Sequence, residues 1–295
     1  MDKARKRFAK YIKGMERMDK LKAAWVGFRQ PDVDPWKVYE RYAAIGYHGM
    51  DGDLWEMEGD RVENLKHFND LGLQVVSSWA VRGDMKEFAA DDQKIAEVIE
   101  RAHFYNLDAV TMGGISVISS FNSYYGNNGT YDELMYDIEG MNAVIEKLGR
   151  EGIGLLYHNH YQEFTVSYDG VSVMDYLLTD VDRRLKLKLD VGWVWVGGVD
   201  PVAFMEKAKD RIGLLHIKDF YDQEIPRHLV NQKPETRIGF TMLGTGKVDI
   251  QGCLKKGVEI GQKWAIVEQD TMRNLTMEED LTGSFLAMKE SGYVE

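Results

Sequence analysis

From residue 21 onward the chain alternates eight short apolar runs with longer amphipathic stretches, a pattern that few folds accept. The runs are Ala23–Phe28, Tyr47–Asp51, Leu73–Ser78, Ala109–Met112, Ile153–His158, Leu185–Val191, Ile212–Ile217 and Trp264–Glu268. They are rich in Val, Ile, Leu and Trp, the composition of strands buried on both faces. Intervening segments such as Pro35–Ala44 and Tyr131–Arg150 carry helical periodicity. Several of these stretches end in glycine just before the next run, as at Gly46, Gly72, Gly152 and Gly261, where a left-handed helix C-cap is expected. Strand–helix repetition of this kind predicts a parallel sheet. Eight units in about 270 residues predict an α/β fold closed as a (β/α)8 TIM barrel rather than an open doubly wound sheet. No glycine-rich phosphate fingerprint follows the first run, which weakens the dinucleotide-binding alternative.

The first twenty residues stand apart. Lys3, Arg5, Lys6, Arg7, Lys10, Lys13, Arg17 and Lys20 accompany Phe8, Tyr11, Ile12, Met15 and Met18 at helical spacing. We read residues 1–20 as an extra N-terminal basic amphipathic helix and residues 21–295 as one catalytic barrel domain. Overall, 37 Lys and Arg against 48 Asp and Glu give a net charge of −11, which argues against a nucleic-acid partner. Cys253 is the only cysteine, so an intrachain disulfide and a thiolate-built zinc site are both excluded. No apolar run is long enough for a membrane span and no secretory leader pattern begins the chain, so a cytoplasmic location without membrane attachment is expected.

In such a barrel the chemistry sits where strands end. The fifth run discharges His158, Asn159, His160 and, slightly later, Glu163; the sixth ends at Asp190; the seventh delivers His216, Lys218 and Asp219; the eighth ends at Glu268, Gln269 and Asp270. Taken singly, Asp190 reads equally well as a helix cap and a lone histidine as a core residue. At the tips of four consecutive strands, together, they point to a divalent ion held by oxygen and nitrogen donors.

The segments YHNHYQEF, LDVGW with GG and DP following, LLHIKDF, LGTGKVD and IVEQD resemble, in order and spacing, the sugar phosphate isomerase/epimerase family of xylose-isomerase-like TIM barrels. That family includes inosose and 3-dehydroshikimate dehydratases, and C-glycoside deglycosidases that pair the barrel with a small second subunit. The resemblance implies metal ligands at Asp190, His216 and Glu268. The first ligand, a glutamate at the strand-five tip in many members, falls on either His158 or Glu163. It further implies that His160 acts on the substrate and that Lys218 contacts substrate oxygens. Mn2+ is the foremost cofactor candidate, with Co2+, Mg2+ and Zn2+ also suited to the donors.

Such a site supports proton abstraction beside a carbonyl through a metal-stabilised enediolate, with His160 and Glu268 as the candidate acid/base pair. The leading expectation is a metal-dependent sugar or keto-sugar isomerase or epimerase. The alternative is a lyase on the same scaffold, either an inosose-type dehydratase or a C-glycoside deglycosidase acting on 3-keto-glycosides with a small partner; a nonenzymatic carbohydrate-binding protein ranks below both. Trp193 and Trp79 are candidate walls for a sugar, and Asp51 a candidate partner for its hydroxyls, each with an ordinary packing or capping alternative. The stretch from Phe220 to Gly246, with Arg227, His228, Lys233 and Arg237, reads as a lid or interface loop. A small carbohydrate substrate and a homo-oligomer, with room for a second subunit, complete the expectation.

Overall fold

The computed structural model describes residues 19–27, 33–112, 129–221, 239–270 and 274–295. Eight strands form one sheet: β1 (Lys22–Val26), β2 (Gly49–Asp51), β3 (Gln74–Ser77), β4 (Ala109–Met112), β5 (Gly154–His158), β6 (Leu185–Asp190), β7 (Ile212–Ile217) and β8 (Trp264–Val267). Each lies within its expected run except β1, which starts one residue earlier. Their order is β3-β2-β1-β8-β7-β6-β5-β4, every pairing parallel. The ends of this order meet beyond the regular strands. Thr111 N–H donates to Ser78 O (2.8 Å), Val81 N–H donates to Thr111 O (3.2 Å), and the Ser77 and Thr111 hydroxyls lie 2.6 Å apart. The sheet is therefore a nearly closed (β/α)8 barrel.

Side-chain alternation sorts the strands into two environments. Trp25, Tyr157, Leu189, Leu215 and Val267 join the continuous core between sheet and helices. Their neighbours Ala24, Val26 and Ile266, with Val76, Leu214 and Trp264 packed on them, form a separate small cluster inside the barrel. Above that cluster, toward the strand C-termini, the interior turns polar: Asp51, His158, Lys188, Asp190 and His216 are all buried.

The helices follow their local signals. Pro35–Ile45 opens with Asp34 capping Trp36 N–H and closes on Gly46 at φ 121°, while Tyr131–Gly149 and Met277–Glu290 begin with reciprocal Thr–Glu capping boxes. Leu21 and the C-terminal Tyr293 and Glu295 exchange backbone hydrogen bonds of 2.9 Å, which closes the barrel floor. Residues 1–18, carrying most of the expected basic helix, and 222–238, carrying Arg227, His228, Lys233 and Arg237, lie outside the described residues. The two ends of the latter segment are joined by the antiparallel pair Asp219–Phe220 and Phe240–Thr241. No helix among the described residues is long and apolar enough to cross a membrane.

Candidate metal centre

Four ligand-type side chains converge at the strand tips. His158 ends β5, Asp190 ends β6, His216 lies on β7 and Glu268 follows β8; one ligand atom from each lies within 4.8 Å of all the others, and all four residues are buried. Backbone wiring sets this up. Asn159 donates from its amide to Asp190 O (3.3 Å) and accepts from Asp190 N–H (3.0 Å), so the tips of β5 and β6 are tied by one side chain. Asp190 then has two roles. Its Oδ1 accepts from Trp193 N–H at 2.8 Å as the N-cap of helix Val191–Val196, which leaves Oδ2 turned to the group.

The donor set fits a divalent ion on two observations. First, Asp190 Oδ2 and both ring nitrogens of His158 are buried without a hydrogen-bond partner, a costly arrangement that metal ligation would relieve. Second, the local ionic network carries four carboxylates, Asp51, Asp190, Glu268 and Asp270, against two ammonium groups, Lys188 and Lys218. This excess of carboxylates over ammonium groups favours a cation between them. Two imidazoles with two carboxylates suit the borderline ions, Mn2+, Co2+ and Zn2+, at least as well as Mg2+.

Electrostatics differ sharply from residue to residue. Burial alone would raise the Glu268 carboxyl, but Lys218 and the neighbouring imidazoles outweigh it and hold Glu268 well below the usual carboxylate range. Asp190 is pushed by burial up to about 7. Burial drives His158 well below its ordinary value; burial, then Lys218, brings His160 down to about 4, so both rings are neutral near pH 7. Burial opposes the charge on Lys218, yet Asp270, Glu268 and Asp190 keep it protonated, at 3.0, 3.3 and 3.5 Å respectively. The His216 ring is held between carboxylates, Nδ1 to Glu268 Oε2 and Nε2 to Asp51 Oδ2, both at 2.6 Å.

The other sequence-predicted residues are distributed around this group. Glu163 stands apart from it: the short helix Gln162–Thr165 turns its carboxylate back, where the Tyr157 hydroxyl lies 2.6 Å from Oε1 and His160 N–H donates to Oε2 at 2.9 Å. Asp51 is fully buried with both oxygens engaged by Lys188 and His216, beneath the group rather than at its mouth. His160 is half-buried, its ring 5.0 Å from His158 and 5.4 Å from Trp193. Trp193 is buried at 1 % exposure with its indole N–H unpartnered, and Lys218 Nζ sits 5.0 Å from its ring. Trp79 is half-buried and forms a wall, edge-on to His158 at 5.3 Å.

The sequence reading leaves the roles of two residues unassigned. Lys188 shows there only as an alternating strand residue. Asp219 lies beside Lys218, yet its carboxylate faces away and accepts four backbone N–H groups, from Phe220, Val248, Gly244 and Gly246. The signal that was available is the LGTGKVD segment itself, whose two glycines mark a loop wrapped closely around an acceptor: a Cβ on Gly246 would lie 2.2 Å from Asp219 Oδ1.

Comparison with known proteins agrees with this architecture. An inosose dehydratase of Lacticaseibacillus casei is 28% identical over 272 residues, covering 83% of this chain and 87% of its own length. A solved sugar phosphate isomerase/epimerase from Parabacteroides distasonis superposes with a TM-score of 0.71 at 20% identity, covering 95% of this chain and 97% of its own. A structure solved with a bound zinc atom superposes at 0.66 and 15% identity, covering 92% of this chain and 99% of its own. The model of the xylose isomerase-like TIM barrel family matches residues 39–289, and with that match spanning most of the barrel the chain belongs to this family.

Proposed function

We propose that the chain is a divalent-metal-dependent enzyme that takes a proton from a carbon beside the carbonyl of a keto-sugar or keto-cyclitol and completes the reaction by releasing water. The observation that carries this reading is the buried His158, Asp190, His216 and Glu268 group, its unpartnered ligand atoms flanked by the half-buried His160. These four residues would hold a divalent ion, whose positive charge would stabilise the negative charge that builds as the C–H bond breaks. His160, neutral and 5.0 Å from His158, is placed to receive the proton. Lys218, proton-bearing and paired with Asp270 at the mouth, is placed to give one to the departing hydroxyl. Trp79 packs against His158 and Trp193 against His160, which gives the group aromatic neighbours on two sides. Elimination is the outcome favoured by the inosose dehydratase relatives.

Isomerisation or epimerisation uses the same first step and is the second reading. It is favoured by one observation: Lys218 is committed to three carboxylates, and a His160 that takes the proton and returns it to the adjacent carbon on the same face completes an isomerisation without a separate acid, whereas epimerisation needs a second group on the opposite face. Mass spectrometry of Mn2+-loaded protein with an inosose, a ketose and a 3-keto-glycoside in deuterated water separates the readings. Loss of one water supports elimination, deuterium gain without mass loss supports isomerisation or epimerisation, and neither on any of the three substrates overturns proton abstraction.

A further inference from the structure

Inside the barrel one charged side chain has no part in the reaction just described. Lys188 is fully buried, and its Nζ lies 2.8 Å from both carboxylate oxygens of Asp51. The same Nζ sits 4.1 Å from the centroid of the Trp79 ring, a cation–π distance. Both partners reach histidines of the metal group, Trp79 meeting His216 as well, tilted at 6.3 Å. Asp51 Oδ2 is 2.6 Å from His216 Nε2, and the Trp79 ring meets the His158 ring edge-on at 5.3 Å.

The sheet is locally irregular at both ends of the ion pair. The β2–β3 register shifts between Met50 and Asp51, and the β6–β7 register shifts between Leu187 and Lys188. Irregularities of this kind re-aim a side chain that regular alternation would place otherwise. At the second of them Gly213 is required, because a Cβ there would lie 2.7 Å from Leu156 and 2.9 Å from Lys186. An apolar residue of similar volume would fill the barrel without the desolvation cost of a buried ammonium. The pair therefore answers to something other than packing.

We propose that Lys188 is a positioning residue that orients both imidazoles of the metal group, His216 through Asp51 and His158 through Trp79. This inference rests on the metal reading of that group. With Asp51 fixed by Lys188, the His216 Nε2 proton is committed to the carboxylate and Nδ1 is turned to Glu268 and the other ligands. Trp79, held over the ammonium, limits the rotation of a His158 ring that has no hydrogen bond of its own.

The test uses the full chain, Co2+ and Mn2+ as probes, and three variants: Lys188→Met, Asp51→Asn and the double variant. Calorimetric titration and the visible spectrum of bound Co2+ are read alongside circular dichroism. Lys188→Met should weaken Co2+ and Mn2+ binding about 10- to 100-fold and shift the Co2+ bands, a change a merely structural role would not make. The double variant should bind about as weakly as Lys188→Met alone, because Asp51→Asn acts only on the His216 route that Lys188→Met already disturbs. If Lys188→Met fails to fold, the double variant, in which neither buried charge is left alone, carries the test. Unaltered affinity and spectrum in a folded Lys188→Met or double variant overturns the inference, as does multiplicative weakening by the two substitutions. Failure of the unaltered chain to bind either ion overturns the metal reading and this inference with it.

Discussion

Asp219 should be worth more to stability than any surface ion pair in the molecule, and Asp219→Ala measures it. Its fully buried carboxylate accepts from Phe220 N–H at 2.8 Å and Val248 N–H at 3.0 Å through Oδ1, and from Gly246 N–H at 2.9 Å and Gly244 N–H at 3.0 Å through Oδ2. Removing it orphans four donors. The bonds to Phe220 and Val248 are buried, whereas those to the two glycines are partly open to water. Counting the two buried donors at about 1–3 kcal/mol each gives a loss of about 2–6 kcal/mol. Asp219→Asn keeps one acceptor oxygen but opposes an amide to the other donors, so its loss should be about half as large. At about 2–4 °C per kcal/mol for a chain of this size, Asp219→Ala should lower Tm by about 4 °C or more. Gly246→Ala drives a methyl into the same carboxylate and should combine with Asp219→Ala less than additively. A thermal melt of Asp219→Ala within about 1 °C of the unaltered chain would refute the clamp.

Other consequences are equally open to measurement. His160→Ala should retain metal and fold but lose turnover by about 100-fold or more, and unchanged turnover removes His160 from proton transfer. Glu163 is pushed by burial from its ordinary 4.5 up to about 8, so the folded state holds a proton there that the unfolded chain releases. Its contribution is therefore full below about pH 4.5 and falls by up to about 1.4 kcal/mol per unit until it is lost near pH 8. Denaturant titrations between pH 5 and 8 should show that slope in the unaltered chain relative to Glu163→Gln, and parallel profiles would contradict it. Gly192→Ala places a Cβ 2.6 Å from Lys218 O and 2.7 Å from the Phe220 ring, so it should cost about 1–3 kcal/mol and weaken catalysis through a displaced Lys218; wild-type stability and rate together would count against it.

Much of the barrel was legible because its signals are local. Strand runs, capping boxes and C-cap glycines each occupy a few adjacent residues, and Gly72 and Gly152 do adopt φ of 81° and 74°. Asp190, His216 and Glu268 were legible for a related reason: a parallel barrel presents its strand ends on one face, so position in the strand predicts position in space. His158 and Glu163 were not separable by spacing, since only the helical turn at Gln162–Thr165 sends the glutamate back toward Tyr157. The Asp51–Lys188 pair joins residues 137 positions apart across two register shifts, and strand alternation carries no trace of either. Asp219 looked like one more tip carboxylate because three of its four donors arrive from a loop 25 to 29 residues downstream.

The proposed function stands on four strand-tip side chains that together hold one ion. Elemental analysis and Mn2+, Co2+ and Zn2+ titration of the purified chain, beside His158→Ala and Asp190→Ala, test it most directly. About one equivalent of divalent ion is expected in the unaltered protein, lost or weakened at least about 10-fold in both variants with the fold retained. No bound ion after reconstitution, or one that both variants hold as tightly, would contradict it.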